Sequence, residues 1–239
     1  MASTRANVIV FGCGRKGSGK TTLLHERFVD ASPRVISLDV TGETVERFPH
    51  AIPCYSIEEI MHALTRAAEV RATRWHLAAI LEPYDVSRLF GLLAPIPTRD
   101  GPPSLARAWG GVAVECGECD IIAPVSGAMP NVLSAFRRGR HHMLSLFMAT
   151  QRPATCARDV TAQADVIFAF AQTEPRDIDW LARTISTPVA DLVRGLPRFH
   201  CVYYTRDTGR VYVCDERRTP YRVLDTAGDN LTDFQAPSV

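Results

Sequence analysis

Short apolar runs alternate along the chain with longer segments whose apolar residues recur at helical spacing. The apolar runs predict strands at 7–13, 34–40, 76–81, 112–116, 143–150, 165–171, 200–204 and 210–214. Between them, the pattern predicts helices at about 20–30, 56–68, 86–93, 131–138, 157–164 and 174–185. Apolar strands that alternate with helices predict an α/β fold, in which helices cover both faces of a mainly parallel central sheet.

The pattern changes toward the C-terminus. Segments 200–204 and 210–214 flank Arg206-Asp207-Thr208-Gly209, which predicts a β-hairpin. From Thr219 onward the chain is polar and contains proline, so we expect it to be extended. Because the chain has 239 residues and no internal repeat, we expect one domain spanning 1–239, with its core at 7–186 and the hairpin and extended tail at 187–239.

Charge and composition exclude several classes of protein. The 27 basic and 26 acidic residues nearly cancel, so binding to nucleic acid or membranes would need a local patch. Hydrophobic residues make up 46% of the chain, which excludes wholesale disorder, and no apolar run is long enough for a transmembrane helix. Seven cysteines without a secretion signal indicate a reducing, cytoplasmic location with the thiols packed in the core.

A glycine-rich segment follows the first predicted strand. Its sequence, Gly14-Arg15-Lys16-Gly17-Ser18-Gly19-Lys20-Thr21, matches the phosphate-loop pattern G-x-x-x-x-G-K-[ST] in full and contains both lysines of the chain. In such a loop backbone N–H groups surround the β-phosphate, the lysine bridges the β- and γ-phosphates, and the following hydroxyl ligates Mg²⁺. We therefore predict a nucleoside triphosphate site made of Gly14, Arg15, Lys16, Gly17, Ser18, Gly19, Lys20, Thr21 and Thr22, with Thr22 on the α-phosphate side.

A second pattern overlaps this loop. Gly12, Gly14 and Gly17 also fit G-x-G-x-x-G, and Asp39 after the second predicted strand could supply the acidic residue of a dinucleotide site. That alternative leaves Gly19-Lys20-Thr21 unexplained, so the phosphate-loop interpretation is favoured.

Acidic and thiol side chains accompany the end of the fourth predicted strand. We expect Glu115, Glu118 and Asp120 at its carboxyl end, which is where open α/β sheets bind ligands. Nucleotide hydrolysis needs such a carboxylate to polarise the attacking water. Cys116 and Cys119 form a C-x-x-C motif, but no second ligand pair supports a zinc site, so packing is favoured over a redox dithiol.

Two further polar residues lie at opposite ends of the next strand. Gln151 follows it, and would lie beside the nucleotide, sensing the γ-phosphate or orienting water, if that strand neighbours the phosphate-loop strand. Arg140 precedes it, and the eleven intervening steps of about 3.3 Å separate the two residues by roughly 30 Å or more. Arg140 can therefore reach only a neighbouring subunit's nucleotide, as an arginine finger in trans, or else cap the preceding helix.

Basic residues dominate one stretch of the chain. No acidic residue occurs between Asp120 and Asp159, whereas five arginines do. This stretch predicts a local positive field in a nearly neutral protein. Candidate DNA contacts, chosen because they lie in or beside predicted loops, are Arg99, Arg107, Arg137 and Arg138.

Together these motifs resemble the FtsK–HerA superfamily of P-loop ATPases, ring-shaped motors that translocate double-stranded DNA. The resemblance rests on the phosphate loop, on the strand and acids at 112–120, and on Gly139-Arg140-His141 followed by Ala149-Thr150-Gln151-Arg152-Pro153. It covers about 7–186, and a motor of this size looks most like the genome-packaging ATPases of tailless, membrane-containing viruses.

The resemblance implies a RecA-like three-layer fold, ATP and Mg²⁺ as cofactors, and a homo-oligomeric ring, expected to be a hexamer, that acts on double-stranded DNA. It implies catalytic roles for Lys20, Glu118 and Gln151 in one subunit and for Arg140 of the next. Further expected partners are a capsid vertex or a membrane-associated portal protein. The expected location is the cytoplasm (that of the host, for a virus) or the virion.

One position departs from the family pattern. The family has an Asp-Glu pair here, but Gly117 stands at the Asp position and Glu118 at the Glu position. Glu115 lies two residues back on the same strand face, so we predict that it takes the outer-shell Mg²⁺ role beside Thr21. The departure keeps a non-catalytic NTP-binding assembly protein open as an alternative. A small-molecule P-loop kinase and a DNA-transfer, plasmid-pumping or chromosome-pumping ATPase are the others.

Overall fold

The computed structural model describes residues 7–40, 46, 48–96 and 103–229. Its strands are β1 Ile9–Cys13, β2 Arg34–Leu38, β3 Ile52–Cys54, β4 Trp75–Ala79, β5 Val112–Cys116, β6 Leu144–Thr150, β7 Val166–Phe170, β8 Cys201–Thr205, β9 Arg210–Cys214 and β10 Pro220–Leu224. Its α-helices are α1 Lys20–Leu24, α2 Ile57–Glu69, α3 Pro83–Leu93, α4 Leu105–Ala108, α5 Cys119–Ile122, α6 Pro130–Arg138, α7 Arg158–Ala162, α8 Pro175–Thr184 and α9 Thr187–Arg194.

Within the described residues all ten strands join one sheet, in the order β10-β9-β8-β7-β1-β6-β5-β2-β4-β3. Strands β1 to β7 run parallel, and β8 to β10 are added antiparallel at the β7 edge. The mainly parallel sheet and the C-terminal hairpin are therefore confirmed. Strand β10 extends the hairpin into a three-stranded ribbon that continues the central sheet.

Helices cover both faces of this sheet. Leu23 and Leu24 of α1 pack with Phe168 on one face, whereas Leu89 of α3 and Leu181 of α8 belong to the larger cluster on the other face. Strands β1, β5 and β7 are buried at every position, as expected for strands enclosed between two helical layers. Among the described residues, no helix is both long and apolar enough to cross a bilayer.

The strand order excludes the dinucleotide alternative. A dinucleotide fold places its second strand beside the glycine-loop strand, so that the acidic residue can reach the ribose. Here β6 and β5 separate β2 from β1. Asp39 follows β2, so two strands lie between it and the strand that leads into the glycine loop.

Three local features differ from the sequence prediction. The helix after the loop changes at His25–Val29 into a π-helical turn, in which the Asp30 N–H donates to the His25 carbonyl (3.0 Å). Strand β3 was not predicted because it is a short edge strand with one buried side chain, which leaves no apolar run in the sequence. The short helix α4 lies between the segments 86–93 and 112–116, in a proline- and glycine-rich stretch for which the sequence predicts no helix or strand.

The segment between 186 and the hairpin, for which the sequence predicts no helix, forms helix α9. The Ser186 hydroxyl accepts a hydrogen bond from the Val189 N–H (3.4 Å) and caps this helix, while Val189 and Val193 bury one helical face in the core. The apolar period is short, and Pro188 lies in the first turn, where a helix tolerates proline.

Candidate functional site

The phosphate loop lies between the carboxyl end of β1 and the start of α1. Gly14 must be glycine because a Cβ there would lie 2.6 Å from the Phe170 Cβ. Gly17 has φ +69°, a left-handed conformation that other residues adopt at a cost. Arg15, Lys16 and Gly17 are exposed at the tip of the loop, whereas Ser18 is buried beneath them.

Lys20 turns its side chain back into the loop. Its ammonium donates to the carbonyls of Gly14 (2.8 Å) and Arg15 (3.0 Å), and the residue is buried. Burial lowers the pKa of this ammonium, while the nearby carboxylates, Glu118 foremost, act in the opposite direction. The charge of Lys20 therefore lies within electrostatic range of the acids that follow β5.

Gln151 meets the condition stated for its role. Strand β6 pairs with β1 in the register Cys13↔Thr150, so the residue after β6 lies beside the start of the phosphate loop. The Gln151 side-chain amide donates to Glu118 Oε1 across 3.0 Å. The backbone carbonyl of Gln151 accepts a hydrogen bond from the side-chain amide of the buried Gln172 at 3.2 Å. The structure thus brings Lys20, Glu118 and Gln151 together at one edge.

A buried carboxylate that the sequence analysis missed supports the segment after Gln151. Asp177 in α8 accepts from the Arg152 guanidinium (3.0 Å) and from the Ala154 N–H (3.1 Å). Burial raises the pKa of this carboxyl, and those two donors partly counteract the rise. Thr150 adds a second tie by donating to Asp120 at 2.6 Å. A lone aspartate within the sequence of an amphipathic helix gives no local signal of such a role.

Glu115 is almost fully buried on β5, 2% exposed, and does not reach solvent. Its Oε1 lies 3.5 Å from His25 Nε2 in the π-helical turn, and 3.9 Å from the position that a Cβ on Gly117 would occupy. The Glu115 carboxylate therefore extends toward the place of the missing Asp side chain.

The residues at this edge fit Mg²⁺ in the manner of a phosphate loop. Among the described residues, no group of three or more His, Cys, Asp or Glu side chains forms a metal cage. Mg²⁺ keeps several waters and is held by one or two protein groups together with substrate phosphates. The half-buried Thr21 hydroxyl would be the direct oxygen ligand, and the buried Glu115 carboxylate would lie in the outer shell, while Thr22 is exposed.

The two thiols of the C-x-x-C motif are packed in the hydrophobic core. Cys116 and Cys119 are both fully buried, and the Cys119 Sγ lies 3.6 Å from that of Cys156. Burial raises the pKa of both thiols, which keeps them protonated and suits the packing role.

Arg140 lies at the opposite end of β6 from Gln151. It occupies a single 3₁₀ turn, Gly139–His142, and about half of its side chain is exposed. Its guanidinium donates to Asp165 Oδ1 (2.7 Å) and to the Gln163 carbonyl (3.0 Å). The structure therefore keeps Arg140 away from the phosphate loop of its own chain and presents it at the surface.

The candidate DNA contacts fall into three situations. Arg107 and Arg138 lie near His142. Burial lowers the pKa of the His142 imidazole, and the positive charges of these two arginines lower it further. Arg137 is exposed but holds Asp159 through two hydrogen bonds of 2.8 Å. Arg99 lies outside the described residues.

Comparison with solved structures finds the same fold in viral packaging NTPases. The genome packaging NTPase B204 of Sulfolobus turreted icosahedral virus 2, in complex with AMPPCP, matches at 20% identity and TM-score 0.69, over 86% of this chain and 96% of that chain. B204, the DNA-packaging ATPase of Sulfolobus turreted icosahedral virus, matches at 21% identity and TM-score 0.67, over 88% and 98%.

A more distant likeness is to the cytoplasmic domain of the Thermomonospora curvata Type VII secretion ATPase EccC, at 12% identity and TM-score 0.51, over 87% of this chain and 24% of that chain. Neither a protein-family model nor a curated protein matches the sequence. The chain thus has the three-layer P-loop NTPase fold that the motif resemblance predicts, in the form found in viral genome-packaging NTPases.

Proposed function

We propose that this protein is an ATPase that translocates double-stranded DNA as a ring, in the packaging of a viral genome. The observation that carries the proposal is the 3.0 Å hydrogen bond between Gln151 and Glu118 beside the phosphate loop. It holds a carboxylate and an amide next to the place where the loop would present a γ-phosphate, which is the arrangement that hydrolysis requires.

Hydrolysis is assigned to residues of the carboxyl edge. A bound triphosphate offers the Lys20 ammonium charged acceptors, which are stronger than the two loop carbonyls that it now contacts. Glu118 accepts the proton of the attacking water, and Gln151 orients that water through its amide. Thr21 would hold Mg²⁺ with Glu115 in the outer shell, and the bound ion would supply neutralisation of the charge on the phosphates.

The ring is inferred from the position of Arg140, which supports a site completed by a neighbouring subunit. A cation that stabilises the transferring phosphoryl group must approach it directly, and Arg140 lies at the far end of β6 from that group. A head-to-tail interface, which closes into a ring, brings the amino edge of one subunit to the carboxyl edge of the next. Arg140 then completes the neighbouring site, and its pairing with Asp165 fixes its direction.

The DNA cargo is inferred from charge and from the fold. Arg107, Arg138 and the arginine finger lie at the amino edge. Arg137, and Arg99 outside the described residues, remain candidates. Contacts from such side chains to backbone phosphates are tolerant of sequence and sensitive to salt. The B204 NTPases that share the fold are described as DNA-packaging ATPases, which supports the same cargo here.

The test is steady-state ATP turnover with and without long linear double-stranded DNA, with molecular mass measured in the same buffer. We expect a ring-sized mass and a turnover that DNA raises and that rising salt reduces. Lys20→Ala should show no turnover in either condition, which excludes a contaminating ATPase. Turnover that ignores DNA, in a protein that stays monomeric at micromolar concentration, would show that the motor proposal is wrong.

A further inference from the structure

A buried histidine lies one helical turn after Thr21, where helix α1 passes into the π-helical turn. The Nε2 atom of this residue, His25, lies 3.5 Å from Glu115 Oε1. On the basis of the proposed function, we propose that His25 is a positioning residue for the Mg²⁺ site. It holds the Glu115 carboxylate at the carboxyl edge of the sheet, in the space that the absent side chain of Gly117 leaves open.

His25 and Thr21 lie on the same face of the helix. The His25 N–H donates to the Thr21 carbonyl, and side chains four residues apart are neighbours on a helix surface. The helix face that carries the Thr21 hydroxyl therefore also carries the imidazole, which in turn contacts Glu115 in β5. Through this one face, the structure ties together the two groups that would hold Mg²⁺.

The Glu115 carboxylate needs a partner because it is buried. A carboxylate removed from water is costly unless a hydrogen-bond donor or a cation faces it, and an imidazole Nε2 can supply either. The separation of 3.5 Å is within the range of an ion pair but longer than a good hydrogen bond. Among the described residues, His25 Nε2 has no hydrogen-bond partner. This atom is thus committed to no other group and remains available to Glu115.

The imidazole ring is itself held in place. Its centre lies 4.3 Å from that of the buried Phe48 ring, with the two planes tilted by 58°. The backbone at His25 is fixed as well, because its carbonyl accepts from the Asp30 N–H in the π-helical turn. Such turns occur frequently at functional sites. A residue that orients another must have its own side chain locked by packing, and His25 meets this condition.

Gly117 leaves room for the carboxylate that His25 holds. A Cβ on Gly117 would lie 3.9 Å from Glu115 Oε1, the same oxygen that faces the imidazole. One carboxylate oxygen therefore lies between the histidine and the open space at Gly117. His25 fixes the direction of this oxygen, which the packing of an aliphatic side chain would not do.

The test measures the binding of Mn²⁺, as a substitute for Mg²⁺, to the complex with the nonhydrolysable nucleotide AMPPCP. The EPR signal of free Mn²⁺ gives the dissociation constant without any turnover. His25→Leu keeps the apolar volume but removes the N–H, and should weaken Mn²⁺ binding by about 10–100-fold, the usual cost of losing an outer-shell partner. His25→Gln, which retains a side-chain N–H, should bind Mn²⁺ as the wild type does. His62→Leu, a change of an exposed histidine in α2, is the matched control.

Two further measurements distinguish positioning from general damage to the fold. The affinity for AMPPCP in the presence of EDTA should be unchanged in His25→Leu, and an equal loss there would assign His25 to helix packing and overturn the inference. The double variant His25→Leu/Glu115→Gln should bind Mn²⁺ no more weakly than Glu115→Gln alone, because His25 acts through Glu115. Wild-type Mn²⁺ affinity in His25→Leu, or losses that add in the double variant, would also overturn it.

The outcomes separate this inference from the proposed function. Mn²⁺ binding that depends on His25, in a protein whose ATP turnover ignores DNA, would support the positioning role and contradict the motor. Normal Mn²⁺ binding by His25→Leu, in a protein whose turnover DNA raises, would overturn the positioning role and leave the motor intact. A wild type that binds neither AMPPCP nor Mn²⁺ would overturn both.

Discussion

The two ends of the parallel strands differ in chemistry. At the carboxyl edge, Glu118 and Gln151 are hydrogen-bonded to each other beside the buried ammonium of Lys20. At the amino edge the prominent groups are cations, with Arg140 half-exposed and Arg107 on the surface. Strand β6 connects the two edges, because Arg140 lies in the turn before it and Gln151 follows its last residue, Thr150.

This difference is the basis for the proposal that each catalytic site is divided between two subunits. A parallel sheet collects the carboxyl ends of its strands at one edge, so residues that follow different strands meet there. Residues that precede the same strands are carried to the other edge and cannot join them.

Arg140→Ala should lower ATP hydrolysis by about 10³–10⁵-fold, the range for loss of an arginine finger. ATP affinity should be unchanged, because the guanidinium lies away from the loop of its own chain. Steady-state turnover and equilibrium nucleotide binding measure the two effects. The control Arg183→Ala removes an exposed cation of α8. An equal loss of hydrolysis in that variant would contradict the role of Arg140 as the arginine finger.

Glu118→Gln should lower turnover by about 10²–10⁴-fold, as expected when a general base is removed. Nucleotide affinity should remain, since the isosteric amide preserves the packing of the site. Glu69→Gln, an exposed change in α2, is the control. If single-turnover kinetics showed a normal rate of hydrolysis in Glu118→Gln, the general base would have to be another residue.

Glu115→Gln should raise the Mg²⁺ concentration for half-maximal turnover by about 10–100-fold, the usual cost of losing an outer-shell metal partner. The measurement is a Mg²⁺ titration of the ATPase rate at fixed ATP. Normal Mg²⁺-dependent turnover in this variant would show that Glu115, which faces His25, serves packing alone.

The smallest expected effect is on the stability of the fold around His76 in β4. Burial, with His50 and His25 nearby, lowers the pKa of His76 to about 4 from its usual value near 6.5. Between these values the unfolded chain binds the proton more readily, so the free energy of unfolding falls as the pH drops. His76→Asn should reduce this loss, measured by urea unfolding at pH 7 and pH 5, without changing turnover at pH 7. An unchanged pH dependence would contradict the assignment.

Local motifs explain what the sequence could predict. The phosphate loop is one continuous segment, and Gln151 follows an apolar strand that is plain in the sequence. Gln151 can act on the nucleotide only because β6 lies beside β1. That strand order is not recorded in the sequence and was established by the structure.

What the sequence could not predict depends on contacts between distant segments. Asp177 supports Arg152 from another helix, which apolar periodicity does not record. The Glu115–His25 contact requires the π-helical turn, which shifts the helix register after α1. These are the parts of the site for which residue spacing carries no signal.

The central claim is that each catalytic site is shared between two subunits, and mixing two inactive variants tests it most directly. Lys20→Ala lacks the nucleotide half and Arg140→Ala lacks the finger, so each alone should be inactive. In mixed rings, an Arg140→Ala site beside a Lys20→Ala neighbour is complete, and random assembly of head-to-tail interfaces should restore about a quarter of wild-type turnover. Turnover in the mixture no higher than in either variant alone would contradict the shared site.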